Sequence, residues 1–579
     1  MAVASLPERG VLPRWVFLRL LGVVHLVAFL SFWVQAKGLV GENGISPAEA
    51  YLKRVGTALT KQGDWIGLKV PTIAWWFGAD DASIAWICGA GVVCALVLVV
   101  GILPRLMVAL LWVLYLSVFS VAGVFLGYQW DILLLEVTFL AFFYAPDGFW
   151  PKPGSEAAPS RVATWMMRLL WFKLMFSAGV VKFGNPTWDA LTALDYHYWT
   201  QPLPHGAAWF AHNFSDSMRT VGVSFTMFAE LVVPFLVFFN PRRTRLLLWA
   251  AVSAFALFAV DGQLGLTSVA VLVGLAALLD DRVLGRVVPG AVPAGPDGVA
   301  SRMGAFCVTV TLMVGITSTG NYGFFNLLTV VLAVTLLDDA ALRPLVPQRW
   351  RADMDGTNPR APWPALAWVY VAALVLVPMS AMRMLDLVGR DTLRDAKAAS
   401  EAQEASPAQQ AMALIDRTRG PLLDFTRPFA SINGYGLFAR MTTTRHELVV
   451  EGSRDGKAWK RYGFKYKPDD PKAAPPVIGV HMPRLDWQMW FAALQPKCGR
   501  RAWFLDFLER LLEGSDAVHG LLADNPFPAE PPRMVRVRRE RYTFTDAGTR
   551  AATERVWVVK DAGDYCPTFT LNRLRASRR

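Results

Sequence analysis

The sequence contains few cysteines, few histidines and few charged residues for its length. Five of its 579 residues are Cys and seven are His, and no C-x-x-C pair occurs, which argues against a thiol oxidoreductase. Charged residues make up 18% of the chain, below the roughly 25% of soluble domains. The first apolar run is too long for the core of a secretory signal and lacks a small-residue cleavage site, so we expect it to be retained.

Apolar and aromatic residues dominate instead. Hydrophobic residues make up 54% of the chain, including 23 Trp and 35 Phe, and apolar stretches recur that match the roughly 20 residues a helix needs to cross a bilayer. We predict a polytopic α-helical membrane bundle of about eleven transmembrane helices, followed by an exterior α+β domain that is mainly antiparallel β. The predicted spans are 15–34, 82–103, 106–127, 130–145, 164–183, 219–240, 244–260, 264–280, 303–319, 322–338 and 365–381.

The predicted domain organisation follows the change in composition near residue 381. Residues 1–381 form the bundle, with extracytoplasmic loops at 35–81 and 184–218. Residues 382–430 form a linker and helix, and residues 431–579 form the C-terminal domain.

Lys and Arg concentrate in alternate loops, which places the N-terminus inside and the C-terminal domain outside. Residues 382–579 hold 33 Lys and Arg against 24 Asp and Glu, a surplus that suits anionic headgroups, an acidic client or simply water. Nothing indicates nucleic acid.

One internal repeat is present. "GQLGLTSVAVLVGLAALLDD" (262–281) aligns without gaps on "GNYGFFNLLTVVLAVTLLDD" (320–339). Both copies begin with Gly, a polar amide (Gln or Asn) and, two residues later, another Gly, and both end in paired Asp. The shared ends predict a duplicated helical hairpin.

Charged residues inside the predicted spans should find partners, because a lone charge in hydrocarbon costs several kcal/mol. We predict a pair between Lys173 and Glu230, both near mid-depth of their spans. Lys182 lies on the opposite helix face from Lys173 and could meet Asp131 or Glu136. These pairs either hold the bundle together or form a proton or catalytic relay.

The loop at 184–218 is rich in aromatic and titratable residues. Asp195, His197, His205 and His212 could support proton transfer, but their spacing does not favour a metal site. Trp and Tyr are also typical of membrane interfaces. The aromatic candidates for contact with a client or an interface are Trp188, Tyr198, Trp199 and Trp209 in this loop and Trp487, Trp490 and Phe491 in the C-terminal domain.

Within the C-terminal domain, "TRHELVVEGSRDGKAWKRYGFKYKP" predicts a β-hairpin around an Arg-Asp-Gly turn. "RLDWQMWFAAL" predicts a helix whose aromatics either pack onto the bundle or present a groove. "PPRMVRVRRERYTFT" predicts a further strand, with Arg536, Arg538 and Arg541 available to acidic partners. Cys498 and Cys566 could form a disulfide in an oxidising compartment.

Several long segments together resemble one known family. They are "GLVGENGISPAEAYL" (38–52), "YQWDILLLEVTFLAFFYAP" (128–146), "FKLMFSAGVVKFGNPTWDALTALDYHYWTQPLPHGAAWFAHN" (172–213), "TGNYGFFNLLT" (319–329), "INGYGLFARMTTTRHELVVEGSRDGKAWKRYGFKYKPDDP" (432–471) and "MPRLDWQMWFAAL" (482–494). In this order they resemble the lipase maturation factor family, across both the bundle and the outer domain. The chain departs from the family in its extra membrane repeat, where "GQLGLTS" lacks the aromatics of the second copy.

The resemblance implies a membrane-bound factor that helps secreted lipases or other exported hydrolases to fold and mature. We expect it to use no cofactor or metal. The expected partners are membrane lipids and a secreted client. The Ala-, Arg- and Gly-rich composition suggests a bacterial inner membrane with the C-terminal domain in the periplasm; in a eukaryote the endoplasmic reticulum would be the corresponding place.

The alternative is an integral membrane enzyme distantly similar to vitamin K-dependent gamma-carboxylase, acting on a lipid-soluble cofactor or secreted peptide. Its candidate catalytic residues are Lys173, Lys182, Glu230, Asp195 and His197. An outer cavity lined by Lys182, Asp195 and His197 favours this enzyme, and a filled bundle favours the chaperone.

Overall fold

Nine helices in the described part of the chain overlap nine of the eleven predicted spans. The computed structural model describes residues 10–153, 156–238, 299–346, 363–388 and 420–576. The predicted spans 244–260 and 264–280, and the first copy of the repeat at 262–281, lie outside these residues. The helices are α1 (Val11–Val40), α2 (Asp81–Val100), α3 (Pro104–Ala122), α4 (Gln129–Tyr144), α5 (Arg161–Val180), α6 (Asp216–Leu231), α7 (Val299–Thr319), α8 (Phe325–Ala333) and α9 (Trp363–Val388).

The number of spans is lower than predicted in the described part of the chain. Six helices there are long and apolar enough to cross a membrane, or seven if a pair bent by 116° after α8 counts as one. Three of the described helices do not qualify on their own: α4 has 16 residues, α5 carries Arg168 and Lys173 as well as Arg161, and α8 has 9 residues and counts only as part of the bent pair. The helical, membrane-like character is confirmed, whereas the count of about eleven is not.

Local sequence sets where these helices begin and end. Asp80 starts α2 by accepting a hydrogen bond from the Ser83 amide at 2.7 Å, and Gly101 ends it in the left-handed conformation that glycine tolerates. Gly22 of α1 lets α2 approach closely, since a Cβ there would lie 2.9 Å from Val99. The long central helix α1 therefore packs tightly against its neighbour.

The C-terminal region forms a four-stranded antiparallel sheet in the order β2-β1-β3-β4. The predicted hairpin, the predicted strand around residues 534–544 and the predicted helix are all confirmed; β4 was not predicted. The disulfide that the sequence left open, Cys498–Cys566, joins a loop to β4. The elements are β1 (Arg445–Ser453), β2 (Lys460–Arg461), α10 (Arg484–Ala493), α11 (Ala502–Glu513), β3 (Met534–Phe544) and β4 (Trp557–Phe569).

The bundle and the sheet region share one hydrophobic core. A continuous cluster of buried side chains includes Phe17 of α1, Trp171 of α5, Trp487 of α10 and Phe507 of α11. Because buried apolar area is the main source of folding free energy, the two regions stabilise each other. The sheet is not an independent module resting loosely on the helices.

Candidate functional site

The loop between α5 and α6 folds into three short helices, Pro186–Asp189, Ala193–Thr200 and Gly206–His212. Asn185 caps the first by accepting the Thr187 amide at 3.2 Å. His205 caps the third by accepting the Ala207 amide on Nδ1 at 3.0 Å. Proline at the first helical position suits the start of the first helix. This loop forms a layer between the bundle and the sheet.

Arg445 of β1 fixes this layer to the sheet. Its guanidinium donates to the carbonyls of Trp199 (3.2 Å), Gln201 and Pro202 (2.9 Å). Its Nε donates to Glu447 at 2.8 Å, and Lys467 donates to the other Glu447 oxygen at 3.0 Å. Burial opposes the charge on Glu447, but the two cations outweigh it, so the pKa of Glu447 is lowered.

Asn321, just before α8, joins three segments. Its Nδ2 donates to the carbonyls of Pro204 (3.0 Å) and Pro476 (2.9 Å), and its Oδ1 accepts from the Ile478 amide at 2.9 Å. One amide side chain thus connects a bundle turn, the aromatic loop and the C-terminal region. A buried amide with this many partners fixes their relative positions.

Asp131 of α4 pairs with Arg484 of α10. The two Arg484 Nη atoms lie 2.6 and 2.9 Å from the two carboxylate oxygens, and both side chains are fully buried. Tyr115 also donates to Asp131 at 2.7 Å. This bidentate pair couples helices of the bundle directly to the C-terminal region.

Glu136, one and a half turns along α4, makes the second connection. It accepts from Lys173 of α5, from the Asn433 amide at 3.0 Å and from the Tyr435 hydroxyl at 2.6 Å. All these groups are buried. The segment before β1 therefore inserts polar atoms between α4 and α5.

Glu230 of α6 pairs with Lys182 at the end of α5, with 2.5 Å between Nζ and Oε2. The predicted Lys173–Glu230 pair, and the predicted contact of Lys182 with Asp131 or Glu136, are wrong. The prediction placed Glu230 too close to the middle of α5. Because α6 begins at Asp216, its first turns extend past the end of α5, and Glu230 lies level with Lys182. Gly179 allows the close approach, since a Cβ there would lie 3.0 Å from the Glu230 Cβ.

The titratable residues of the loop have separate roles. Asp195 pairs with Arg219 at 2.5 Å, His205 acts as the helix cap, and His212 lies beside Phe544. His197 is 3.3 Å from the Tyr322 hydroxyl; burial, and secondarily the charge of Lys182, lowers its pKa to about 4. Across the described ranges, no three His, Cys, Asp or Glu side chains converge as metal ligands.

Most of the aromatic candidates pack inside the protein. Trp188, Trp199, Trp209 and Trp487 are buried, whereas Tyr198, Trp490 and Phe491 are half-buried. Their indole nitrogens join segments as well: Trp188 donates to the Phe438 carbonyl, Trp209 to Thr545 and Trp490 to the Thr200 carbonyl. Of the two readings of α10, packing onto the bundle is therefore observed.

A cavity of about 200 Å³ lies where the loop meets α6 and α7. It includes two of the three residues expected for an outer cavity, Lys182 and His197, but not Asp195. It adjoins a smaller cavity of about 70 Å³ that also borders Lys182 and Glu230. The lining of the larger cavity is Lys182, Trp188, Leu194, His197, Tyr198, Gly222, Phe225, Thr226, Glu230, Thr311, Leu312, Gly315, Ile316, Thr319 and Phe438.

The sequence did not identify Arg484, Arg445, Asn321 or Tyr435. A charge count along the spans could not have pointed to Arg484, because the predicted spans already hold Arg19 and Arg168 besides Lys173 and Lys182. Arg536 and Arg538 were expected to be available to acidic partners, but they pair with Glu451 and Asp561 within the sheet.

The fold and the site define a helical, membrane-like protein whose C-terminal region is joined to the bundle by the buried Asp131–Arg484 ion pair and by buried hydrogen bonds to Glu136. Residues 12–286 and 296–344 match the lipase maturation factor transmembrane domain, and residues 431–567 match the lipase maturation factor C-terminal domain. The chain belongs to the lipase maturation factor family.

Named relatives cover nearly the whole chain. Lipase maturation factor 2 of Homo sapiens is 35% identical over 94% of this chain and 82% of its own length. The protein of that name in Gallus gallus is 30% identical over 96% and 81%. Lipase maturation factor 1 of Bos taurus is 30% identical over 97% and 90%. No solved structure matches the chain, and the comparisons do not support the gamma-carboxylase-like enzyme.

Proposed function

We propose that this chain is a membrane-bound maturation factor for exported proteins, with lipases as the first candidates for its clients. The observation that carries the proposal is the family match over both the bundle and the C-terminal region. The names of the relatives point to lipases. A shared fold can host different functions, so the client requires a direct test.

The proposed location is a bacterial inner membrane, with the sheet on the periplasmic side. The Cys498–Cys566 disulfide supports an oxidising compartment for the sheet. An alkaline phosphatase fusion after residue 579 should be active, and a fluorescent protein fusion at the same point should be dark if exported unfolded. The reverse pattern would place the sheet in the cytosol and remove the basis for contact with exported clients.

The buried tryptophans of the loop act in this proposal by positioning, not by touching the client. Trp188 and Trp209 hold the loop against the C-terminal region, so that half-buried side chains such as Tyr198, Trp490 and Phe491 keep a fixed arrangement. Those three stay the proposed contact residues. A preformed surface binds with less loss of conformational entropy than a flexible one.

The experiment is deletion of the gene in its own host. For each exported hydrolase, the specific activity per secreted molecule is measured, and the wild-type gene is then restored. We expect at least one exported lipase to accumulate with normal abundance of its transcript but reduced specific activity. Phe491→Ala should restore maturation less well than Val314→Ala, an exposed position on α7. Unchanged specific activity of every exported hydrolase would contradict the proposal.

A further inference from the structure

The cavity beside the Lys182–Glu230 pair has a polar end and apolar walls. The walls come from Leu194, Phe225, Leu312, Ile316 and Phe438, with Trp188 beside the Lys182 ammonium. The polar end comes from the ion pair and His197. A pocket of this composition, mainly apolar with a few convergent polar groups, is typical of small-molecule sites.

Hydrogen bonding leaves His197 with an unused acceptor. Tyr322 donates its hydroxyl hydrogen to Gln201 at 2.7 Å, so toward His197 its oxygen acts as the acceptor, and His197 Nε2 carries the proton. In the neutral imidazole, Nδ1 is then an acceptor. This atom has no hydrogen bond to any described residue, and His197 lines the cavity.

Charge balance at the polar end selects the kind of head group. Lys182 and Glu230 neutralise each other at 2.5 Å. A charged ligand would gain little net Coulomb attraction from the pair while losing its hydration. Hydroxyl groups, which both donate and accept, can bond to His197 Nδ1 and to the carboxylate without breaking the pair.

The mouth of the cavity lies between α6 and α7. Gly222 and Thr226 border it on α6, and Thr311 and Gly315 border it on α7, where both are exposed among the described residues. A Cβ at Gly315 would meet nothing within 4 Å. At about 30 Å³ per water molecule, 200 Å³ holds a glycerol-sized head. A hydrocarbon chain would have to leave through the mouth.

We propose that this cavity binds the head group of an uncharged, hydroxyl-bearing single-chain amphiphile of the monoacylglycerol class. The glycerol hydroxyls bond to His197 and the Lys182–Glu230 pair, and the acyl chain leaves between α6 and α7. Of the three half-buried aromatics proposed for client contact, Tyr198 also lines this cavity, whereas Trp490 and Phe491 do not. The proposal is therefore tested by lipid binding alone, which does not depend on the client.

The test measures binding of radiolabelled 1-monooleoylglycerol to the full-length protein in nanodiscs. Gly315→Phe places a ring in the open space at the mouth and should weaken binding at least tenfold. Val314→Phe adds the same ring at the neighbouring exposed position and should change binding less than twofold. Equal binding by the two variants would overturn the proposal.

Two further measurements use the unmodified protein and do not depend on folding of a variant. Unlabelled oleate and lysophosphatidylcholine, which carry charged heads, should compete at least tenfold less well than monooleoylglycerol. A photoreactive monoacylglycerol with its diazirine near the head should label peptides from residues 183–198, 219–231 and 306–319. Better competition by oleate, or labelling confined to α9, would overturn the assignment.

Discussion

The Asp131–Arg484 pair offers the sharpest test of how the sheet is held to the bundle. Both side chains are fully buried. Arg484→Met keeps most of the aliphatic volume but leaves the Asp131 carboxylate buried without its cation. Removing one partner of a buried pair costs about 3–5 kcal/mol. That is a large share of the 5–15 kcal/mol that stabilises a typical domain.

The control is a single-contact ion pair at a similar distance near water. Arg538 lies 2.6 Å from Asp561, whose side chain is 59% exposed, so Arg538→Met should cost less than about 1 kcal/mol. The double variant Arg484→Met, Asp131→Asn removes both charges and keeps an oxygen acceptor for Tyr115. It should recover at least half of the loss.

The assay is denaturant unfolding of the purified protein in mild detergent, followed by circular dichroism. Trypsin digestion gives a second readout, because loosening of the sheet should expose cleavage sites after residue 431. The reasoning fails if Arg484→Met costs no more than Arg538→Met. It also fails if the double variant is no more stable than Arg484→Met alone.

Three further predictions concern the C-terminal region. Cys498→Ser should destabilise the sheet by about 4 kcal/mol, because it releases a loop spanning 68 residues. Urea unfolding measures this loss. The control Cys307→Ser, at an exposed free cysteine, should have little effect. Arg445→Met should speed amide hydrogen exchange at residues 199–205, measured by mass spectrometry, while Arg541→Met on the exposed part of β3 should leave it unchanged. Burial raises the pKa of Asp486 from 3.8 to about 6, so the folded state holds this proton more tightly than the unfolded state. The free energy of unfolding of the wild-type protein, relative to that of Asp486→Asn, should therefore fall as the pH rises from about 4 to about 6. A difference that is constant across this range would contradict the last prediction.

Sequence patterns were sufficient where the signal is local. Apolar runs bounded by glycine, such as the one ending at Gly101, located the helices, and alternation in "HELVVEG" located β1. They failed for pairings, because Asp131 and Arg484 are 353 residues apart and no periodicity connects them. The depth of Glu230 was misjudged because neighbouring helices need not begin and end at the same level, and the first turns of α6 extend past the end of α5.

The aromatic composition of the sequence located the loop, but it did not show whether the aromatic side chains are buried or exposed. Trp188 and Trp209 suit a membrane interface and a protein interior equally well, since each needs an apolar surface and one hydrogen-bond acceptor. Only the tertiary arrangement shows that the acceptors are Phe438 and Thr545. The cavity was harder still, because its lining comes from four separate segments.

The carboxylates of α4 are synthesised well before their partners in the C-terminal region. These two carboxylates, on Asp131 and Glu136, are translated long before Arg484, Asn433 and Tyr435. At about 5–20 residues per second, the 353 residues between Asp131 and Arg484 take roughly 20–70 s to synthesise. During that interval the helix must be shielded by the insertion machinery, by protonation or by water, and a nascent chain truncated before residue 484 keeps Asp131 without its cation.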